Sequence, residues 1–544
     1  MKNFRNGCQS GIEVNEPFHS LPEKDKPLNP PTKSSSPLLK STIILGMAIM
    51  LSRLTGFARE IALATFYGAD KVSDAFILAF TIPDTLLVFV SGAVAASFIP
   101  MYHRVDDRVK FTRNIMTCLL IIGLMFSIIF TIFPGGLVRL FAFQLDQATF
   151  EIAEFFVRYM VWSAILILLM NVYNAHLEIE GAFFSSGIRP IWRNLAVILG
   201  LALGYMYNFN LIIALSPVAG TALSMFVLSV VSRKHRYTYR PYLDLRSPDL
   251  KQVMILVVPI FFATASGQIN LIISKNFAAT LPVGNISYLN YSSRVSGLFV
   301  ALFGHALYTV LYPHISKLAV SDDMVKFKTV LTRSIMYIIA IMLPLFIGLI
   351  VLSEPGVRIM FERGYFTASD TLQTAAILRM HAMLLLFNSI NPLIIRGFYA
   401  VQDTKTPASI SIAAVIVSVA LHYFLIGPLG AEGLALAASL TGVLTTLLLI
   451  VFLCKKLGCL GLRKNLHEFM KLFVAVVLMG VFVWFVSSML PLQSVPIWQS
   501  AFLCAAIIIS GAVFYVVLLF VMNSRIAFEA ITAAKNTLRR SGAL

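Results

Sequence analysis

Apolar runs of roughly 20 residues recur along nearly the whole chain, each long enough as a helix to cross a hydrocarbon layer about 30 Å thick. A transmembrane β-barrel needs alternating segments of about ten residues instead. The runs here are continuous, which predicts an all-α polytopic membrane protein. Composition agrees. The 544-residue chain is 58% hydrophobic and 13% charged, with a mean hydropathy of +0.82, far from the balance of a soluble globular domain.

About fourteen spans are expected, centred near residues 53, 87, 125, 163, 197, 219, 263, 300, 340, 385, 416, 443, 479 and 510. Loop charge orients them. The connection after the sixth span, "SRKHRYTYRPYLDLRSPDLK", holds six Lys or Arg, and those near residues 104 to 113, 317 to 333 and 455 to 471 are also basic. All follow even-numbered spans. Connections after odd-numbered spans are poorer: "YGADKVS" has one, "LPVGN" and "LPLQSVP" none. The loop near residues 354 to 370 departs from this, with Arg358 and Arg363 offset by Glu354, Glu362 and Asp370. The positive-inside rule then predicts cytoplasmic termini. The net charge of +17 is read as this topology signal rather than as a nucleic-acid surface. Residues 1-38, rich in Pro, Ser and Lys, read as a disordered cytoplasmic tail with no signal-peptide pattern.

A weak internal repeat divides the chain. "GAFFSSGIRPIWRNLAVILGLALGY" from Gly181 echoes "GFYAVQDTKTPASISIAAVIVSVALHY" from Gly397. A second pair aligns Gly92 with Gly304 and Pro100 with Pro313, so both offsets lie near 210 to 217 residues. The expected domains are therefore 39-246 and 247-457, two pseudo-repeated six-helix lobes, then 458-524 as two C-terminal helices and 525-544 as a cytoplasmic tail. Because six is even, the repeat is parallel, as in transporters that rock one lobe against the other.

Ionisable groups inside spans are costly and are normally turned toward the bundle interior or a water-filled cavity. Arg53, Arg59 and Arg294 are the clearest. Arg53 and Arg59 lie about 240° apart around a helix axis, which suits the wall of a wide cavity better than a tight ion pair. The bland alternatives are pairing of Arg59 with Asp74 or Glu60 and snorkelling of Arg294. Arginine's planar fork suits phosphate oxygens and stays charged at any physiological pH.

Asp74, Asp84 and Asn388 are weaker candidates: the carboxylates for balancing the arginines or coupling protons, Asn388 with Asn391 for a coupling cation. Asp74 also suits a helix start, and the asparagines suit helix–helix hydrogen bonds. Lys275 is read as snorkelling, and His305 and His422 as packed, hydrogen-bonded side chains. Cys8, Cys118, Cys454, Cys459 and Cys504 show no paired spacing and are read as reduced, without metal. The chain contains neither a G-x-x-x-x-G-K-[ST] loop nor an H-E-x-x-H site, so no cofactor and no enzyme chemistry are expected, and an ion gradient or the membrane potential would supply any energy.

The stretches "SRLTGFAREIALATFYGADKVSDAF", "FIPMY", "GFYAVQDTKTP" and "IGPLGAEGLALA" resemble the MurJ/MviN family of lipid II flippases, within the MOP exporter superfamily, over about residues 40 to 525. The resemblance implies fourteen helices in two lobes around a cationic cavity. That cavity takes the diphosphate and sugar head of an undecaprenyl-linked lipid and carries it outward by alternating access in the bacterial inner membrane. The family's two first-helix arginines fall on Arg53 and Arg59, and its Y-A-D-R arginine on Arg294, with Ser293 in place of the acidic residue. One stretch departs: where P-N-L-L-R-R is frequent, this chain reads Pro83, Asp84, Thr85, Leu86, Leu87, Val88, with Ser91 before Gly92. The expected function is therefore lipid II translocation for peptidoglycan synthesis. The competitors are export of another lipid-linked oligosaccharide of exopolysaccharide or O-antigen type, a drug/cation antiporter, and a membrane scaffold for cell-wall or division enzymes.

Overall fold

The computed structural model describes residues 35–235, 237–304, 318, 323–458 and 465–529, without the side chains of 35–45, 88–96, 183, 186 and 258–266. The expected tail up to residue 34, Cys8, His305, Pro313, Cys459, the Ser91 side chain and the chain beyond residue 529 lie outside what is described. The described chain is helical throughout its apolar runs. Its elements are α1 (Ser35–Tyr67), α2 (Lys71–Tyr102), α3 (Arg108–Ile132), α4 (Pro134–Phe141), α5 (Gln147–Met160), α6 (Ser163–Ile179), α7 (Phe183–Tyr207) and α8 (Asn210–Lys234). Then follow α9 (Pro248–Ala278), α10 (Asn285–Phe299) with a π-turn at Val300–Gly304, α11 (Met324–Val351), α12 (Ser353–Phe361), α13 (Ala368–Ala400), α14 (Lys405–Leu457), α15 (Leu466–Met489) and α16 (Ile497–Val521). Helix begins at Ser35, inside the stretch expected as tail.

Seven described helices are long and apolar enough to cross a membrane, or eight if the bent pair α5 and α6 is one span. This makes the protein an all-α polytopic membrane protein. Every expected span centre falls on a helix or a helix break. The one at 163 meets the 45° bend between α5 and α6, and those at 416 and 443 lie either side of Gly430 within α14. There the backbone turns through φ 54°, ψ −128°. Pro428 supplies no N–H, and Gly430 takes the left-handed φ that a Cβ would strain, so one 53-residue run is two helices.

Local chemistry fixes the helix starts. Asp107, Asp146 and Asp323 accept from the backbone N–H of Lys110, Thr149 and Lys326. Thr367 and Asp370 form a reciprocal capping box on α13, satisfying donors that the first turn leaves unpaired. The two copies of the apparent repeat differ in detail. The first turns at Glu180–Ala182 and carries Pro190 well inside α7, whereas the second turns after Ala400 and carries Pro407 in the first turn of α14.

Packing follows side-chain size. α7 lies against α8 and α1, where a Cβ on Gly220 would come 2.8 Å from the Arg193 Cα. Such small-residue contacts let helix backbones approach in a lipid phase, where burial of apolar surface gives no drive. Large apolar side chains such as Met125, Phe485, Phe502 and Ile509 stay exposed. On a soluble protein such patches mark interaction sites or liabilities; on membrane-spanning helices they suit a hydrocarbon surround.

Candidate functional site

Three helices meet around a cavity of about 540 Å³. α1 contributes Arg53 and Arg59, α7 contributes Pro190 and Asn194, and α10 contributes Ser293 and Arg294. The three arginines singled out from the sequence are thus brought together. A smaller cavity of about 160 Å³ shares Arg53 and Ser293 and reaches Asn388 on α13. A third, about 380 Å³, runs from Asn388 past Arg396 to Tyr399.

The arginines are held in different ways. Arg53 is exposed to the cavity and makes no ion pair among the described residues. Arg59 is buried, its Nη2 2.5 Å from Glu60 Oε1 and its Nη1 donating to Asn194 Oδ1 at 3.1 Å. The expectation that the α1 arginines avoid a tight ion pair therefore fails for Arg59. Neighbours i and i+1 diverge around a helix, but arginine's long stem folds back far enough to reach. Arg294 does not snorkel to the membrane face: its Nε lies 3.4 Å from the same Glu60 oxygen, with the side chain 48% exposed. Asn290 donates to the other oxygen at 2.8 Å. Glu60, 3% exposed, thus sits between cations from α1 and α10. Removing one partner from such a buried pair costs about 3–5 kcal/mol.

Asp74 does not balance the arginines. Its carboxylate crosses from α2 to the start of α10, accepting from Gly284 N at 2.7 Å, Ser287 N at 2.8 Å and Ser287 Oγ at 2.5 Å. Asp74 lies in the first turn of α2, as the helix-start reading expects, and its side chain also caps the start of α10. Nearby, Tyr291 Oη donates to Gly68 O at 2.9 Å and Tyr365 N to Thr65 O at 2.9 Å. Phe57, Tyr291, Phe361 and Phe366 pack as a ring cluster just beneath. This end of the α1–α2–α10 assembly is closed by hydrogen bonds and aromatic packing, while the cavity lies on the other side of it.

Asp84 pairs with Arg193 of α7, whose Nη1 lies 2.9 and 3.0 Å from its two oxygens. Lys275 is half-buried, with Arg294, Asp74 and Glu60 near enough to act on its charge. Asn391 accepts from Thr446 and His422 bonds with Ser274 and Ser418, the packing roles expected of them. Cys118, Cys454 and Cys504 are free thiols. Sequence reasoning passes over Glu60 as a centre, together with Arg189, Arg193 and Asn194. The signal is present in "GIRPIWRN", where two arginines four residues apart share one face of an intramembrane helix.

Comparisons place this geometry among known proteins. The sequence profile of the family described as "Lipid II flippase MurJ" matches residues 63–502. A "Probable lipid II flippase MurJ" of Vibrio cholerae is 28% identical over 519 residues, 90% of this chain and 97% of that one. A solved "Lipid II flippase MurJ, inward closed conformation" aligns at a TM-score of 0.75 and 23% identity, covering 90% of this chain and 100% of that one. An inward-facing multidrug transporter of the MATE family in the MOP superfamily aligns at 0.61 and 16% identity, over 77% and 98%. These two structures share the fold.

Proposed function

The chain belongs to the lipid II flippase MurJ family, and from that premise we propose that it moves undecaprenyl-diphosphate-linked peptidoglycan precursor from the cytoplasmic to the periplasmic leaflet. The observation that carries the reading is the cavity itself, where Arg53, Arg59 and Arg294 converge from two separate helices. Arg53 and Arg294 offer the diphosphate unspent donors, and Arg59 is reached by exchange with Glu60. A charge-assisted bond to phosphate is about twice as strong as a neutral one, so the dianion competes with Glu60 for Arg59 and Arg294 and meets Arg53 unpaired. Asn388 lines the adjoining space and would contact the saccharide.

The two-lobe division supports alternating access. α1 packs on α7 as α9 packs on α14, and α4 and α12 each pack on the helix that follows them. Residues 39–246 and 247–457 are the rocking bodies, α15 and α16 are the added pair, and about fourteen spans place both termini in the cytoplasm. The closed end at Asp74 is then periplasmic. Transport involves no covalent step, and cell-wall synthesis or division proteins are its natural neighbours.

Conditional depletion followed by mass spectrometry of undecaprenyl-linked intermediates tests the assignment. Accumulated lipid II with its full sugar-peptide head is the expected result. Accumulation of a different saccharide with normal lipid II would transfer the protein to exopolysaccharide or O-antigen export. Unchanged intermediates, with growth sensitive to loss of residues 1–38, would indicate a scaffold.

A further inference from the structure

Beside the cavity, across the Phe80 ring from its lining residue Arg59, α7 carries a further cation, Arg193. Arg193 and Arg59 both stack on the Phe80 ring, with guanidinium carbons 4.2 and 4.3 Å from its centroid. Of the Arg193 donors, only Nη1 is engaged, by both oxygens of Asp84. Its Nε is buried without a partner among the described residues. The Nε–Nη2 edge, the fork that matches two phosphate oxygens, is therefore unspent. The pair is not sealed away, since the Asp84 side chain is 37% exposed and that of Arg193 16%. Asp84 also lies within electrostatic range of Arg294 and Arg189. It is a carboxylate set among three arginines, where an anionic ligand would be attracted.

We propose that Arg193 is a fourth phosphate-binding arginine of the cavity, held in reserve by Asp84, which the substrate's diphosphate displaces. The inference rests on the flippase reading and deepens it. Asp84 serves as an internal stand-in for phosphate: it keeps Arg193 oriented and the empty cavity less positive, and it raises the selectivity for ligands with enough charge to replace it. A purely structural pair would behave differently, because its only task would be to tie α2 to α7.

The two roles differ at Arg193, where a purely structural pair predicts unchanged probe binding. With the purified full-length chain and undecaprenyl diphosphate as probe, Arg193→Gln should weaken binding about tenfold, the loss of one good charge-assisted contact. Arg193→Lys should recover part of it, since a point charge replaces the fork. Asp84→Asn should tighten binding, because the competing carboxylate is gone. Unchanged or weaker binding in Asp84→Asn, or unchanged binding in Arg193→Gln, would overturn the proposal. If Arg193→Gln fails to accumulate, Arg193→Lys decides, because it keeps the charge and removes the fork: binding equal to the wild type would overturn the proposal. Arg53→Ala separates the layers. If it too binds the probe like the wild type, the flippase reading fails; if it loses binding while the Asp84 and Arg193 variants change nothing, only this inference fails.

Discussion

Glu60 and Asp74 are both buried carboxylates on neighbouring helices, and both reach across to α10. They differ in what they meet there. Asp74 takes three neutral donors from the first turn of α10, groups with no other ligand to turn to. Glu60 takes the guanidinium groups of Arg59 and Arg294 at the edge of a cavity, groups that an incoming anion can claim. The same residue chemistry gives a latch in one place and an exchangeable counter-ion in the other, and the difference lies in the charge and accessibility of the partner.

The largest effect is expected at the latch. Asp74→Ala strands two buried N–H donors and a hydroxyl, each worth about 1–3 kcal/mol when left unpaired, so thermal unfolding in detergent should shift down by several degrees and abundance should fall. Asp74→Asn, which keeps the acceptor oxygen, should recover part of the loss. A wild-type melting curve for Asp74→Ala would erase the distinction between the two carboxylates.

Glu60→Gln should separate binding from turnover. With its counter-charge gone, the cavity gains positive potential: diphosphate should bind more tightly, while transport in reconstituted vesicles slows because release is impaired. Weaker binding would place Glu60 on the latch side of the comparison. Arg294→Gln should weaken diphosphate binding with a smaller loss of stability, because that side chain is half exposed and its ion pair is the longer of the two.

The smallest effect lies outside the membrane. Asp403, in the turn between α13 and α14, accepts from Lys456 Nζ at 2.7 Å and from Thr406 N and Oγ1. These bonds hold its carboxyl below the usual carboxylate range, with the lysine contributing most. The folded value is below the unfolded one, so the stabilisation is present above the unfolded value, near 3.9, and is lost as pH falls through the folded one. Asp403→Asn should therefore melt slightly below the wild type at neutral pH, with the difference shrinking in strong acid.

Much of this is legible in the order of the amino acids alone. Continuous apolar runs announce helices, and Arg53, Arg59 and Arg294 stand out because charge inside a span requires a reason. The pairing of the charges is legible only in part: Arg59 with Glu60 is one alternative beside Arg59 with Asp74. Glu60 sits one residue from Arg59, a spacing that helix geometry discounts, and its second cation lies 234 positions away on α10. Asp74 suits three roles equally well by its position in the chain, because capping another helix leaves no local pattern. Arg193 is visible beside Arg189 on one helix face, but its pairing is not: its partner, Asp84, lies on α2, and only the fold brings the two side chains within reach.

The most direct test of the central claim is the affinity of the purified protein for undecaprenyl-diphosphate-linked saccharide, measured side by side for the wild type and Arg53→Ala. Arg53 makes no ion pair within the described residues, so its removal leaves no buried charge uncompensated and the fold undisturbed. The cationic-cavity account predicts an affinity about tenfold lower with an unchanged melting temperature. Equal affinity in the two proteins would contradict it.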